Sequence, residues 1–258
     1  MKISVAMAYY NGKTYINEQL ESILCQLGPE DEVSISVDGA EDGSYELVDQ
    51  WAMRDDRIVL IRGPHQGVVR NFEHAIEQCS GDVIFLSDQD DIWEAHKVKK
   101  VMWAFERSGA LVVLHNAVLV DAGGHANGEP ELFALRKSNT GVLKNFVQNS
   151  YVGCCMAFKK ELIPVILPIP DHMYMHDYWI GTAGEYMGKV VLLKEPLIRY
   201  RRHGDNVTRM HHGSAGFMIK KRLNILPCLR ELKKRKRMAD HWAEHDTQGG
   251  APIEDGNH

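Results

Sequence analysis

Acidic residues stand in two tight groups in this chain, Asp38-Gly39-Ala40-Glu41-Asp42-Gly43 and Ser87-Asp88-Gln89-Asp90-Asp91. Crowded carboxylates repel one another, so such groups call for a cation. Ligands offering only oxygen favour a hard ion, Mg2+ or Mn2+. Mg2+ is typically shared between one or two carboxylates and the phosphates of a substrate. Each piece alone has a plain reading: Asp-Gly is a common turn, and Asp90 or Asp91 could cap a helix beyond Trp93. Placement argues for more. Both groups, and the run Tyr9-Tyr10-Asn11-Gly12, directly follow short apolar segments.

Those segments read as strands: Ile3 to Ala8, Glu32 to Val37, Ile58 to Ile61 and Val83 to Leu86. Helix-period stretches lie between them, at Thr14 to Leu27 (Ile16, Leu20, Ile23 and Leu24 on one face), Ser44 to Met53, and Val68 to Cys79. The alternation predicts an α/β fold, a parallel sheet with helices on both faces. Ligands of such sheets bind outside the carboxyl ends of the strands, which gathers Tyr10 and the acidic groups round one crevice. Further on, the pattern predicts a helix from Ala95 to Arg107, a strand from Ala110 to Val120 and a Gly-rich loop to Pro130. Helical segments follow after Gly141 and after Met173, and then a strand from Lys189 to Ile198.

The chain has 258 residues, 44% hydrophobic and 25% charged, enough for a sizeable core. A net charge of −5 argues against a nucleic-acid partner. The odd set Cys25, Cys79, Cys154, Cys155 and Cys228, without a CxxC pair, reads as reduced thiols of a cytoplasmic protein. The N-terminus is too polar for a signal peptide and reads as a first strand. No apolar run is long enough to span a bilayer.

From Gly216 to about His245 the composition changes, with nine Lys and Arg residues between Lys220 and Arg237. Pro227 predicts two short helices joined at a kink. They read either as packed on the main domain with a solvated basic face, or as an interfacial segment in peripheral contact with the inner face of the cytoplasmic membrane. The organisation expected is a catalytic domain over 1–215, a basic amphipathic extension over 216–245 and a disordered tail over 246–258.

Taken together, the motifs resemble family 2 glycosyltransferases of the GT-A fold, and particularly their rhamnosyltransferase-like branch. The matching pieces are Tyr10-Asn11-Gly12 with Tyr15-Ile16 and Glu18-Gln19-Leu20, Asp38-Gly39 with Asp42-Gly43, Gly67-Val68 with Arg70-Asn71-Phe72, and Gly81-Asp82 running into Ser87-Asp88-Gln89-Asp90-Asp91-Ile92-Trp93. Later come Gly153-Cys154-Cys155-Met156-Ala157-Phe158, His176-Asp177-Tyr178-Trp179, and Tyr200-Arg201-Arg202-His203-Gly204-Asp205-Asn206. The resemblance implies a Rossmann-like, mixed and mainly parallel sheet, and an inverting transfer of a sugar from a nucleoside-diphosphate donor to a glycan or lipid-linked acceptor. For this branch the best-matching donor is dTDP-L-rhamnose, used in cell-surface polysaccharide synthesis.

The resemblance also implies roles. Tyr10 and Asp38 would hold the nucleobase, Arg70 would contact the nucleotide, and Asp88 would face ribose and metal. Asp90, with Asp88 and His203, would coordinate the Mg2+ or Mn2+ bridging the diphosphate, and Arg201 would face the phosphates. Asp177 would take the proton of the acceptor hydroxyl, or serve as an N-cap, or both. Trp93 would flank the sugar, with the core as its other place. Three positions depart from the family pattern at the expected nucleotide pocket: Tyr9, Val37 and Ala40. They motivate one alternative, a degenerate nucleotide-sugar-binding protein. A sugar-phosphate nucleotidyltransferase is a second, although Tyr9-Tyr10-Asn11-Gly12 lacks the basic phosphate loop expected there.

Overall fold

A computed structural model describes residues 1–39, 42–203 and 225–246. Among the described residues eight strands form one sheet. The first half follows the expected alternation: β1 (Ile3–Tyr10), α1 (Ile16–Leu24), β2 (Glu32–Gly39), α2 (Ser44–Ala52), β3 (Ile58–Arg62), α3 (Val68–Glu77) and β4 (Val83–Ser87). These strands pair in parallel. The second half adds β5 (Ile92–Trp93), α4 (Lys97–Ser108), β6 (Val112–Val120), α5 (Leu132–Arg136), α6 (Val142–Val147), β7 (Met156–Lys159), α7 (Ile163–Ile166), α8 (His176–Met187), β8 (Val190–Arg201) and α9 (Ile225–Asp246). β7 runs antiparallel between β4 and β6, and β5 antiparallel on the edge of β8. β6 and β8 are parallel, so the sheet is mixed and mainly parallel.

Alternation along the strands divides the core between the two faces of the sheet. Val5, Met7 and Tyr9 of β1 and Phe85 of β4 meet Ile16, Leu20 and Ile23 of α1, Val48 of α2 and Val101 of α4. Ala6, Ala8, Ile84 and Leu86 face the other way, onto Phe72 of α3, Ile166 of α7, Trp179 of α8 and Cys228 and Leu232 of α9. Burying a large apolar side chain contributes about 1.5–3 kcal/mol, so each layer locks its helices firmly to the sheet. The C-terminal helix is part of the second layer. Its Arg235 side chain donates to the Val165 and Pro168 carbonyls and lies over the Trp179 ring.

Pro227 does not kink that helix. It stands in the first turn, where its missing N–H would have no helical partner anyway, and the helix runs unbroken to Asp246. Residues 204–224 and 247–258, with the 215/216 boundary and the tail, lie outside the described residues, as do Ala40 and Glu41. No helix among the described residues is long and apolar enough to cross a membrane.

Candidate active site

Tyr10, Asp38 and Asp88 stand at or just past the ends of adjacent parallel strands, as sheet topology requires. The Tyr10 ring is exposed and lies against Gly39. A Cβ at 39 would stand 2.7 Å from it, so only glycine admits the ring there. Asp38 is buried, and its carboxylate accepts N–H bonds from His65 (2.5 Å) and Gly67 (3.2 Å) in the loop leading into α3. A carboxylate offers about four lone-pair sites, so Asp38 keeps acceptor capacity for a ligand.

The acidic turn after β4 is held from several sides. Gln19 on α1 donates to Ser87 Oγ (2.7 Å) and to the Asp88 carbonyl (2.9 Å). Arg201, at the end of β8, donates its backbone N–H to Asp91 Oδ1 (3.0 Å) and its Nε–H to the Asp90 carbonyl (2.7 Å). Thus fixed, Asp90 receives His203, whose Nε2 is 2.8 Å from Oδ2. The His203 ring stacks on Tyr15, 5.0 Å between centroids.

Burial, then the charges of Asp90 and Asp177, push the Asp88 carboxyl up to about 7. Asp177 reaches the cleft from the first turn of α8, where the helix dipole favours its charge. Its Oδ1 accepts the Tyr178 N–H at 2.6 Å. It is not the N-cap: Met175 holds that position, one residue before the helix begins. Burial also drives Asp91 well above the carboxylate range, aided by Asp90 and Asp88. Carboxylates crowded and buried in this way favour a cation among them. The donor set, carboxylates with one imidazole, suits Mg2+ or Mn2+, so the residues present fit such an ion.

Other expected site residues lie elsewhere. Trp93 is buried in the core, between Phe85 and Lys97, because β5 pairs with β8 and turns the ring under the sheet. It offers no wall to a sugar. Arg201 is 2% exposed, beneath the acidic turn. Its guanidinium is spent on the Asp90 and Ala122 carbonyls and on Glu18, over the Tyr15 ring. Arg70 pairs with Glu73 and Asp171 and donates to the Ile169 carbonyl (2.8 Å), beside a cavity of about 300 Å³. Two of the departures from the family pattern also move. Tyr9 and Val37 are register partners on β1 and β2 and both point into the core, away from the cleft. The Lys97 ammonium, fully buried with burial lowering it to about 8, gave no sequence signal. In Lys97-Val98-Lys99-Lys100 it reads as one more solvated charge.

The architecture defines the class first: an α/β protein of the GT-A fold with an acidic cleft at the carboxyl edge of its sheet. Solved structures of that fold match. The Staphylococcus aureus TarS fragment 1–349 in complex with UDP-GlcNAc aligns at a TM-score of 0.66 and 17% identity, over 86% of this chain and 64% of that one. The Pyrobaculum calidifontis mannosyltransferase PcManGT, in complex with GDP-Man and Mn2+, aligns at 0.57 and 20%, over 75% and 54%. Residues 4–167 match the family model "Glycosyl transferase family 2", and the chain belongs to that family. Among its relatives are an uncharacterized glycosyltransferase of Nostoc, alr2836, 26% identical over 80% of this chain and 66% of the relative. The dTDP-rhamnosyl transferase RfbG of Shigella flexneri is 25% identical over 78% and 72%. The chain thus spans less than two thirds of the first of these relatives and of the TarS fragment.

Proposed function

We propose that the protein is an inverting, metal-dependent glycosyltransferase moving a sugar from a nucleoside-diphosphate donor to a glycan or lipid-linked acceptor. The observation that carries this reading is the convergence on Asp88 of two other carboxylates, Asp90 from the same turn and Asp177 from α8. Asp88, Asp90 and His203 would hold Mg2+ or Mn2+, which supplies Lewis-acid stabilisation of the charge on the departing diphosphate. Tyr10 would stack on the base, and Asp38 would accept a base N–H. Asp177 takes the proton of the acceptor hydroxyl, its charge favoured by the start of α8. Arg70 can turn to a nucleotide only by leaving its carboxylate partners.

The donor proposed is dTDP-L-rhamnose, supported by the branch motifs and by RfbG. A turnover and thermal-shift screen with Mn2+ tests both levels. Stronger stabilisation by UDP-glucose or UDP-GlcNAc than by dTDP-rhamnose overturns the donor. Absence of transfer from every donor, with binding retained, favours the degenerate binder. The exposed Arg230, Lys233, Lys234 and Arg237 of α9, with exposed Leu226 and Met238, support peripheral contact with an anionic cytoplasmic membrane. Co-sedimentation equal for anionic and neutral vesicles would remove that part.

A further inference from the structure

Behind the acidic turn lies a set of ligand atoms that shares Asp88 with the transfer site and adds two groups, Asp91 and Cys154, that the transfer reaction leaves unused. Cys154, in the turn Gly153–Cys155 beside β7, brings Sγ within 4.8 Å of a carboxylate oxygen of Asp88 and one of Asp91, which are equally near each other. Cys154 and Asp91 are enclosed. Asp91 Oδ1 is taken by the Arg201 N–H, while the buried Oδ2 has no hydrogen-bond partner among the described residues. Leaving such an oxygen unpaired costs about 1–3 kcal/mol, so its retention asks for a ligand. Lys97 is enclosed beside the group. Its Nζ donates to the Cys154 carbonyl at 3.0 Å and has no carboxylate at ion-pair distance among the described residues.

We propose that Asp88, Asp91 and Cys154 form a site for a thiophilic divalent cation such as Zn2+ or Co2+, completed by water. Three protein ligands and a water make a common zinc arrangement, and a thiolate selects against Mg2+. As the bonds to the metal form, the Cys154 thiol proton and the protons held by the Asp88 and Asp91 carboxyls leave to solvent. Two carboxylates and one thiolate then carry three negative charges, which the cation and the Lys97 ammonium together balance. Asp88 belongs to this set and to the one with Asp90 and His203. Given the donor-metal reading above, the thiophilic ion would therefore antagonise Mn2+, but its binding stands independently of that reading.

Co2+ titration of the full chain, followed by absorbance, reads the site without any turnover. The expected result is a near-ultraviolet thiolate-to-Co2+ charge-transfer band, abolished by added Zn2+, lost in Cys154→Ser and kept in Cys155→Ser. Cys154→Ala, which buries no hydroxyl, serves if the serine variant fails to fold. No such band in the natural protein would overturn the proposal, whether Co2+ then binds through oxygen and imidazole alone or fails to bind. So would a band that survives loss of the Cys154 thiol. Mn2+-dependent transfer that proceeds while the band is absent would sink the thiophilic site and leave the transferase reading standing.

Discussion

Arg201→Lys keeps a positive charge in place and removes the fork that spreads it. The guanidinium reaches two main-chain carbonyls in different directions, Asp90 and Ala122, each at 2.7 Å. Its third partner, Glu18, is 55% exposed at the side chain and contributes little, because solvent screens such pairs. An ammonium is a point donor and can keep only one of the two carbonyls. The Ala122 carbonyl is only part-buried and can turn to water, whereas the Asp90 carbonyl is buried and costs about 1–3 kcal/mol if left without a partner, so Arg201→Lys should lose about 1 kcal/mol and Arg201→Met about 1–3 kcal/mol. Urea unfolding followed by tryptophan fluorescence should show a lower midpoint at unchanged slope. Mn2+ affinity should fall in parallel, since the Asp90 carbonyl is what Arg201 Nε grips. A lysine variant with the natural midpoint that only weakens nucleotide binding would refute the reasoning and return Arg201 to the phosphates.

Asp90→Ala removes one partner of His203 and a carboxylate of the acidic turn, and Mn2+-dependent transfer should disappear while circular dichroism stays native; activity surviving in the variant under EDTA would contradict the assignment. Asp177→Asn should leave donor affinity intact and lower turnover by roughly 10²–10⁴-fold, whereas unchanged turnover would place the base elsewhere. With Asp88 raised to about 7, its proton competes with the cation, so Mn2+ affinity should fall about tenfold per pH unit below that value and level off above it. The folded carboxyl sits above its unfolded value of 3.8, so its contribution to the stability of the metal-free protein is fully present below that value and lost as pH rises towards 7. Equal Mn2+ isotherms at about pH 6 and about pH 8 would speak against both.

The first seven elements were legible from periodicity alone, because a buried parallel strand and an amphipathic helix each write their own period into the chain. The second half was less so. β5 is two residues long and β7 four, and what makes either a strand is a partner far away in sequence: Ile92 meets Arg199, and Val83 meets Lys159. Asp90 and His203 meet at 2.8 Å, and Asp88 lies near enough to feel the charge of Asp90. Motifs mark which residues recur and carry no sign of where a side chain points. Tyr9 and Val37 were thus misplaced towards the cleft, although both point into the core, where Trp93 takes the second of the two places expected for it. Asp91 was visible only as a neighbour of Asp90. Its isolation, like that of Lys97 and Cys154, comes from three segments closing over one another.

The pairing of β5 with β8 also sets an order of events during synthesis. Asp91 and the Arg201 N–H that fixes it lie 110 residues apart, and the Asp90 carbonyl meets Arg201 across 111. At the usual pace of about 5–20 residues per second, the acidic turn leaves the ribosome roughly 5–20 s before the strand that shapes it. Through that interval the nascent chain carries all of Ser87-Asp88-Gln89-Asp90-Asp91 and no formed cleft. Release of a product ending before β8 would leave the aspartates on an unfastened loop, so the chain reaches a structured site only when translation is far past the motif that identifies it.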